Sequence, residues 1–269
     1  ELRAHERRQL QIMARKGDLE TAAFRKTSGV GVRVLVNGTW GFSSTARVDS
    51  EGIRSAIRDA VVSAERSSGG RSRRIEKLQD CELAVGDFKS GDADEVARHS
   101  TEEKTRLVID TERGMREASA AVRSASCRYT EIADEKWIVS TDGADAHIED
   151  AKLEFITSAV AGKGDEMTVA RHGAGVTGGW NDLFGKRSAG EMAEESARIA
   201  VDLLEAPYAP GGAATVILDP ELVGLLAHEA IGHTAEADFV LSGSAASGKM
   251  GKRVASDLVT LVDSGRALI

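Results

Sequence analysis

Two histidines and a glutamate stand close together late in the chain, in the segment His228-Glu229-Ala230-Ile231-Gly232-His233. Neutral imidazoles are good zinc ligands, and a catalytic zinc keeps one position open for water. The metal brings the pKa of that water towards neutrality, and a neighbouring carboxylate can take the proton and pass it on. Glu229, directly after the first histidine, suits that role. The spacing is unusual, however. Five residues on a regular helix correspond to about 500° of rotation, which leaves the second imidazole roughly 140° away from the first. Shared coordination therefore requires a π-type turn or a break before His233, and Gly232 is the residue expected to permit it. The bland alternative is a pair of helix histidines satisfied by hydrogen bonds. Glu236 and Asp238 follow closely and are candidates to orient a ligand histidine or to act as ligands themselves. His5, His99, His147 and His172 read as ordinary surface histidines.

The elements around the motif can be read from the same stretch. A strand is expected over Ala213–Leu218. Asp219 then serves as N-cap and Pro220 as the first residue of a helix, with Leu222, Leu225 and Leu226 on its buried side. The Gly/Ser segment from Ser242 to Gly248 reads as a mobile loop beside the motif. Upstream, residues 206–212 contain two of the chain's three prolines and mark a linker, giving domains over 1–206 and 213–269.

The first domain reads as an antiparallel meander with packed helices. Strands are expected over Gln9–Ala14, Leu19–Lys26, Gly31–Val36 and Thr39–Thr45, with turns at Lys16-Gly17-Asp18 and Asn37-Gly38. A helix beginning near Asp49 or Ser50 carries Ile53, Ile57, Ala60, Val61 and Ala64 at helical spacing and stops at Ser67-Ser68-Gly69-Gly70. Cys81–Val85 is a further short strand. Ser100 with Glu103, and Ser188 with Glu191, are capping boxes that open two more helices. Between those helices, Val122–Thr130, Lys136–Thr141, His147–Glu149, Leu153–Ala161 and Glu166–Arg171 alternate as strands, with turns at Asp142-Gly143 and Gly162-Lys163-Gly164. Gly173-Ala174-Gly175 and Gly178-Gly179 read as turns and lack a nucleotide fingerprint. The whole predicts an α+β fold, with the motif helix at the start of a second, mostly-β domain.

Bulk properties narrow the partners. The 269 residues are 41% apolar but only 4% aromatic, so the core must rest on aliphatic side chains. A net charge of −8 spread along the chain argues against a nucleic-acid partner. Arg71-Ser72-Arg73-Arg74 reads as a solvated link. No apolar run is long enough to span a membrane. The two cysteines, Cys81 and Cys127, form no disulfide framework, which predicts a reducing, cytoplasmic setting. The chain starts at Glu1 without a methionine.

The segment from His228 to Asp238 resembles the signature of the TldD/PmbA family. Gly31–Phe42 is similar to that family's first hairpin, Glu166–Trp180 to the turn before its long helix, and Leu218–Leu222 to its entry into the motif helix. Thr234-Ala235 replaces a Gly-Leu pair common there. The resemblance implies a two-domain fold. Members bearing the H-E-x-x-x-H pattern are TldD-like zinc metallopeptidases acting on unfolded or flexible peptides; members without it are PmbA-like partner subunits. The two kinds pair as dimers around a cavity, so a homodimer or a heterodimer with a PmbA-like subunit is expected. By the same match His228 and His233 would be zinc ligands and Glu229 the general base. The family's third ligand is a cysteine late in the second domain, which would fall beyond Ile269; Cys81 and Cys127 match no ligand. An internal fragment of a longer protein is the expectation. The alternative function is a catalytically silent subunit that binds peptides or serves as a dimer partner.

Overall fold

The computed structural model describes residues 1–69, 74–78 and 80–263. Gly70 and Arg71–Arg73, expected at a helix stop and in a solvated link, lie outside the described residues. Its contacts divide the chain into one unit over Glu1–Pro207 and a second from Tyr208 onward.

In the first unit the chain reverses wherever two successive residues tolerate positive φ. Lys16 and Gly17 take φ of 52° and 89°, and Asn37 and Gly38 take 51° and 73°. Such pairs match the right-handed twist of the strands they join. The strands are β1 (Leu2–Arg15), β2 (Asp18–Val36), β3 (Thr39–Thr45), β4 (Val85–Ser90), β5 (Val122–Val139), β6 (Asp145–Lys163) and β7 (Glu166–Thr177). They form one sheet in the order β3-β2-β1-β5-β6-β4, with β7 also paired to β6. All pairs are antiparallel except β4 with β6, which is parallel.

Several expected strands turn out to be parts of longer ones. Leu19–Lys26 and Gly31–Val36 are one continuous β2, Val122–Thr130 and Lys136–Thr141 merge in β5, and His147–Glu149 joins Leu153–Ala161 in β6. Charged residues such as Arg25, Asp134 and Asp150 interrupted the apolar alternation, yet they sit within strands paired on both sides or along one edge. Gly173-Ala174-Gly175 lies inside β7, not in a turn. The short strand expected over Cys81–Val85 is displaced to Val85–Ser90, where the backbone meets β6.

Helices α1 (Ser50–Ser68), α2 (Ala93–Arg98), α3 (Thr101–Glu117), α4 (Trp180–Phe184) and α5 (Ala189–Asp202) complete the unit. Both expected capping boxes are formed, Ser100 with Glu103 and Ser188 with Glu191. The stripe that α1 buries is Gly52, Ala56, Ala60 and Ala64; of the expected stripe Ala60 and Ala64 are buried and Ile53 packs against the core, while Ile57 is exposed. The reason is close approach. A Cβ on Gly41 of β3 would lie 2.0 Å from the Ala60 carbonyl oxygen, so helix and strand meet backbone to backbone and only small residues fit between them. Leu10, Ile12, Tyr129, Phe155, Met115 and Met192 anchor the larger core, while Val30, Val32, Ala56 and Ala60 form a smaller one with Leu2 and Ala4. Leu2, Ala4, Leu10 and Ile12 share one face of β1, so α1, α3 and α5 cover the same face of the sheet.

In the second unit α6 (Pro220–Ala227) is followed by a π-helical turn over His228–Gly232, then by α7 (His233–Ala235) and α8 (Ala237–Leu241). The strand expected over Ala213–Leu218 is not formed; no strand occurs among this unit's described residues, so that segment has no ladder partner within it. Among the described residues no helix is long and apolar enough to cross a membrane.

Candidate metal centre

The motif helix starts as its sequence dictates. The Asp219 carboxylate accepts the Leu222 amide hydrogen at 2.8 Å, and Pro220 occupies the first turn, where no amide hydrogen is needed. At His228 the helix widens. The His233 amide donates to the His228 carbonyl, an i→i+5 bond that closes one π turn between the two histidines. Five residues then fill about one revolution, and the two side chains emerge on the same side. Their rings meet edge to face, with centroids 4.5 Å apart and planes at 69°. Gly232 plays a smaller part than its sequence position suggested. Its φ of −51° and ψ of −63° are ordinary for any residue, and an added Cβ would meet nothing closer than 3.7 Å. The widened turn is distributed along the backbone and does not depend on a special glycine conformation.

His228, Glu229 and His233 each offer one ligand atom within 4.8 Å of the other two. Glu229 Oε2 lies 3.9 Å from His233 Nε2, near enough to share a centre and too far to hydrogen-bond. On the other side of the ring, His233 Nδ1 and Glu236 Oε1 are 2.8 Å apart. The carboxylate accepts, so Nδ1 carries a hydrogen, and in a neutral ring Nε2 is then the nitrogen that can bind a metal. Glu236 reaches back because the helix breaks there: its ψ of 138° is extended, between α7 and α8. Asp238 does not join. Its carboxylate accepts the Phe239 amide at 3.0 Å. The Ser242–Gly248 segment, expected to be a mobile loop, is tied down by turns; the Ser244 hydroxyl donates to the Thr234 carbonyl at 2.7 Å. Among the described residues, the apolar side chains of Leu222, Leu225, Leu226 and Ile231 on this helix are exposed.

The remaining histidines divide. His5 donates to the buried carboxylate of Asp134, which also takes a bidentate pair from Arg7. His99 stacks on Trp180 and His172 accompanies Arg187. His147, however, belongs to a second ligand-capable group with Glu135 and Glu149. Sequence reading missed it because its members come from two strands whose register was not predictable. The available signal was the alternation Glu135-Lys136-Trp137 against His147-Ile148-Glu149. Cys81 is exposed and Cys127 buried, both unpaired, and burial pushes the Cys127 thiol pKa up. Neither cysteine belongs to either group.

Comparison with known proteins gives three matches to one family: PmbA/TldA metallopeptidase domain 1 over residues 1–64, its central domain over 94–204 and its C-terminal domain over 211–268. A metalloprotease from Methanocaldococcus jannaschii is 31% identical over 94% of this chain and 55% of its own length. A metalloprotease TldD homolog from Buchnera aphidicola is 26% identical over 93% of this chain and 52% of its own. A zinc metalloprotease TldD homolog from Saccharolobus solfataricus is 23% identical over 80% and 45%. The chain thus spans about half the length of the curated relatives it matches. Among solved structures, a candidate modulator of DNA gyrase from Bacteroides thetaiotaomicron superposes with a TM-score of 0.76 over 95% of this chain and 57% of that one, at 16% identity. TldE from Thermococcus kodakarensis gives 0.52 over 75% and 43%, at 15% identity. With the family's three domains matched in order along the sequence and its overall fold shared, the chain belongs to the PmbA/TldD metallopeptidase family.

Proposed function

We propose that this chain carries the reacting centre of a zinc-dependent peptidase that hydrolyses unfolded or flexible peptides. In this reading His228 and His233 hold the zinc and Glu229 is the general base. The observation that supports it most is the π turn over His228–Gly232, which brings the two imidazoles and the Glu229 carboxylate together. The donor set suits the metal. Zinc–nitrogen bonds of about 2.0–2.1 Å in tetrahedral geometry separate ligand atoms by about 3.3 Å. The motif's ligand atoms all lie within 4.8 Å, so small side-chain rotations close the gap.

Zinc would supply a Lewis acid that makes a water acidic enough to lose its proton near neutral pH. The chain's own residues do the rest. Glu236 accepts the Nδ1–H hydrogen bond of His233 and so holds Nε2 on the side of Glu229. Glu229 accepts the proton of the attacking water and returns it to the departing amine. Catalytic zinc takes three protein ligands, and we assign the third to a cysteine outside these residues, following the family resemblance.

We further propose that residues 1–206 form an N-terminal domain and 213–269 the opening of the metallopeptidase domain. The protein would act in the cytoplasm as a homodimer or as a heterodimer with a PmbA-like subunit. The unpaired cysteines support a reducing compartment. Exposed Val216, Ile217, Val259, Leu261 and Val262 support a further protein surface against the second unit. The test is the His228→Ala/His233→Ala variant of the full-length protein in a quenched-fluorescence peptide assay. Hydrolysis should be lost and not restored by added zinc; hydrolysis by the variant at the wild-type rate would overturn the assignment, and no hydrolysis by the wild-type protein itself would favour the catalytically silent, peptide-binding subunit instead.

A further inference from the structure

The register of the sheet sets three glutamates in one row. Glu6 of β1 stands opposite Glu135 of β5, and Glu135 stands opposite Glu149 of β6. Like charges directly opposite on neighbouring strands destabilise a sheet unless a cation relieves them. Glu6 has Lys26 at 2.9 Å. Glu135 and Glu149 have no lysine or arginine salt bridge among the described residues; what they share is His147. Lys89, opposite Glu149 on β4, turns instead to Asp94. Asp87 of β4 faces His147 from the other side, and among the described residues it too pairs with His147 alone. Three carboxylates from three strands therefore converge on a single imidazole.

The geometry of that imidazole is specific. Nε2 lies 3.0 Å from Glu135 Oε1 and 3.8 Å from Glu149 Oε1, and Nδ1 lies 3.0 Å from Asp87 Oδ1. Trp137, directly opposite in the register, stacks on the ring with centroids 5.0 Å apart and planes at 15°, which fixes its orientation. Without a metal both ring nitrogens donate, Nδ1 to Asp87 and Nε2 to Glu135; a metal would displace the Nε2 hydrogen and take its place between that nitrogen and the two carboxylates. That is the carboxylate–histidine arrangement that orients metal ligands. Tetrahedral zinc with bonds of about 2.0–2.2 Å holds its donors roughly 3.3–3.6 Å apart, a range the two observed separations bracket.

We propose that Glu135, His147 and Glu149 form a second divalent transition-metal site, in the first unit, with Asp87 orienting His147. One imidazole and two carboxylates suit zinc or manganese. The site ties β5 to β6, and through Asp87 it reaches β4, the only strand joined to the sheet in parallel among the described residues. It stands independently of the reading of the His228–His233 motif.

The experiment is calorimetric titration with zinc of the full chain carrying His228→Ala and His233→Ala, which leaves this site alone. One zinc per chain is expected. Asp87→Asn should weaken it roughly 10- to 100-fold, as loss of an orienting carboxylate does, and Glu149→Gln should weaken it further. Asp87 and Glu149 side chains are 89% and 46% exposed, so both variants should keep the wild-type circular dichroism and melting profile. No zinc uptake, or uptake that neither substitution alters, would overturn the site and leave His147 as the cation of an ion-pair cluster.

Discussion

Removing the Glu236 carboxylate should weaken zinc at the motif by about tenfold. The side chain touches the metal centre only through His233, whose Nδ1 hydrogen it accepts at 2.8 Å. Losing such an orienting partner typically costs 10- to 100-fold in metal affinity. Both side chains are about half exposed, 44% for His233 and 46% for Glu236, so water can replace part of the lost bond. That places the effect at the low end, about 1.4 kcal/mol. Glu236→Ala should show it fully, and Glu236→Gln, which keeps an acceptor oxygen, should lose less. Asp238→Asn is the matched control, because its carboxylate serves the Phe239 amide and does not reach the motif. Zinc affinity is read by competition with a chromophoric chelator, in a His147→Ala/Glu149→Gln background so that the motif alone reports. Glu236→Ala within twofold of the parent, or an equal loss in Asp238→Asn, would refute the orienting role. A loss well beyond 100-fold would make Glu236 a direct ligand.

Other consequences follow from the same structure. Gly232→Ala should retain zinc and activity and stabilise the motif helix by roughly 0.5–1 kcal/mol, since the backbone there is helical and the added Cβ meets only ordinary contacts; thermal melting and metal content read it. Gly41→Ala should destabilise the first unit by roughly 1–3 kcal/mol or more in urea unfolding, because the new Cβ would press on the backbone of α1. Asp134 has a pKa held well below the usual carboxylate value: burial raises it, but hydrogen bonds from Arg7 and His5 outweigh that. Its contribution is therefore present above the unfolded value of about 3.9 and is lost as pH falls towards the folded value. Asp134→Asn should cost roughly 1–3 kcal/mol at neutral pH, and the gap to wild type in melting temperature should narrow below about pH 4.

The sequence carried the local chemistry well and the long-range pairing poorly. Capping boxes at Ser100 and Ser188, the Asp219-Pro220 helix start and the Asn37-Gly38 turn act within a few residues, and each is formed where its residues stand. The five-residue histidine spacing also predicted a non-α turn, because helical rotation is fixed by backbone geometry. Strand length was harder. Asp134 and Asp150 broke the apolar alternation, and only the structure reveals the Arg7, His5 and Lys136 side chains that neutralise them within the sheet. The face of α1 was read only in part: Ala60 and Ala64 are buried as expected, but Ile57 is not, because the packing depends on the absence of a side chain at Gly41 on a different element, β3. The Glu135–His147–Glu149 group was invisible for a related reason: a one-residue change in the β5–β6 register would send its members to opposite faces.

The most direct test of the central claim is Glu229→Gln in the full-length protein, with zinc content and peptide hydrolysis measured on the same sample. The carboxylate is needed to move a proton during turnover and not to hold the ion. The account predicts wild-type zinc with hydrolysis of a flexible peptide reduced by at least roughly 100-fold, the lower range for loss of a general base. Hydrolysis near the wild-type rate with zinc still bound would contradict it.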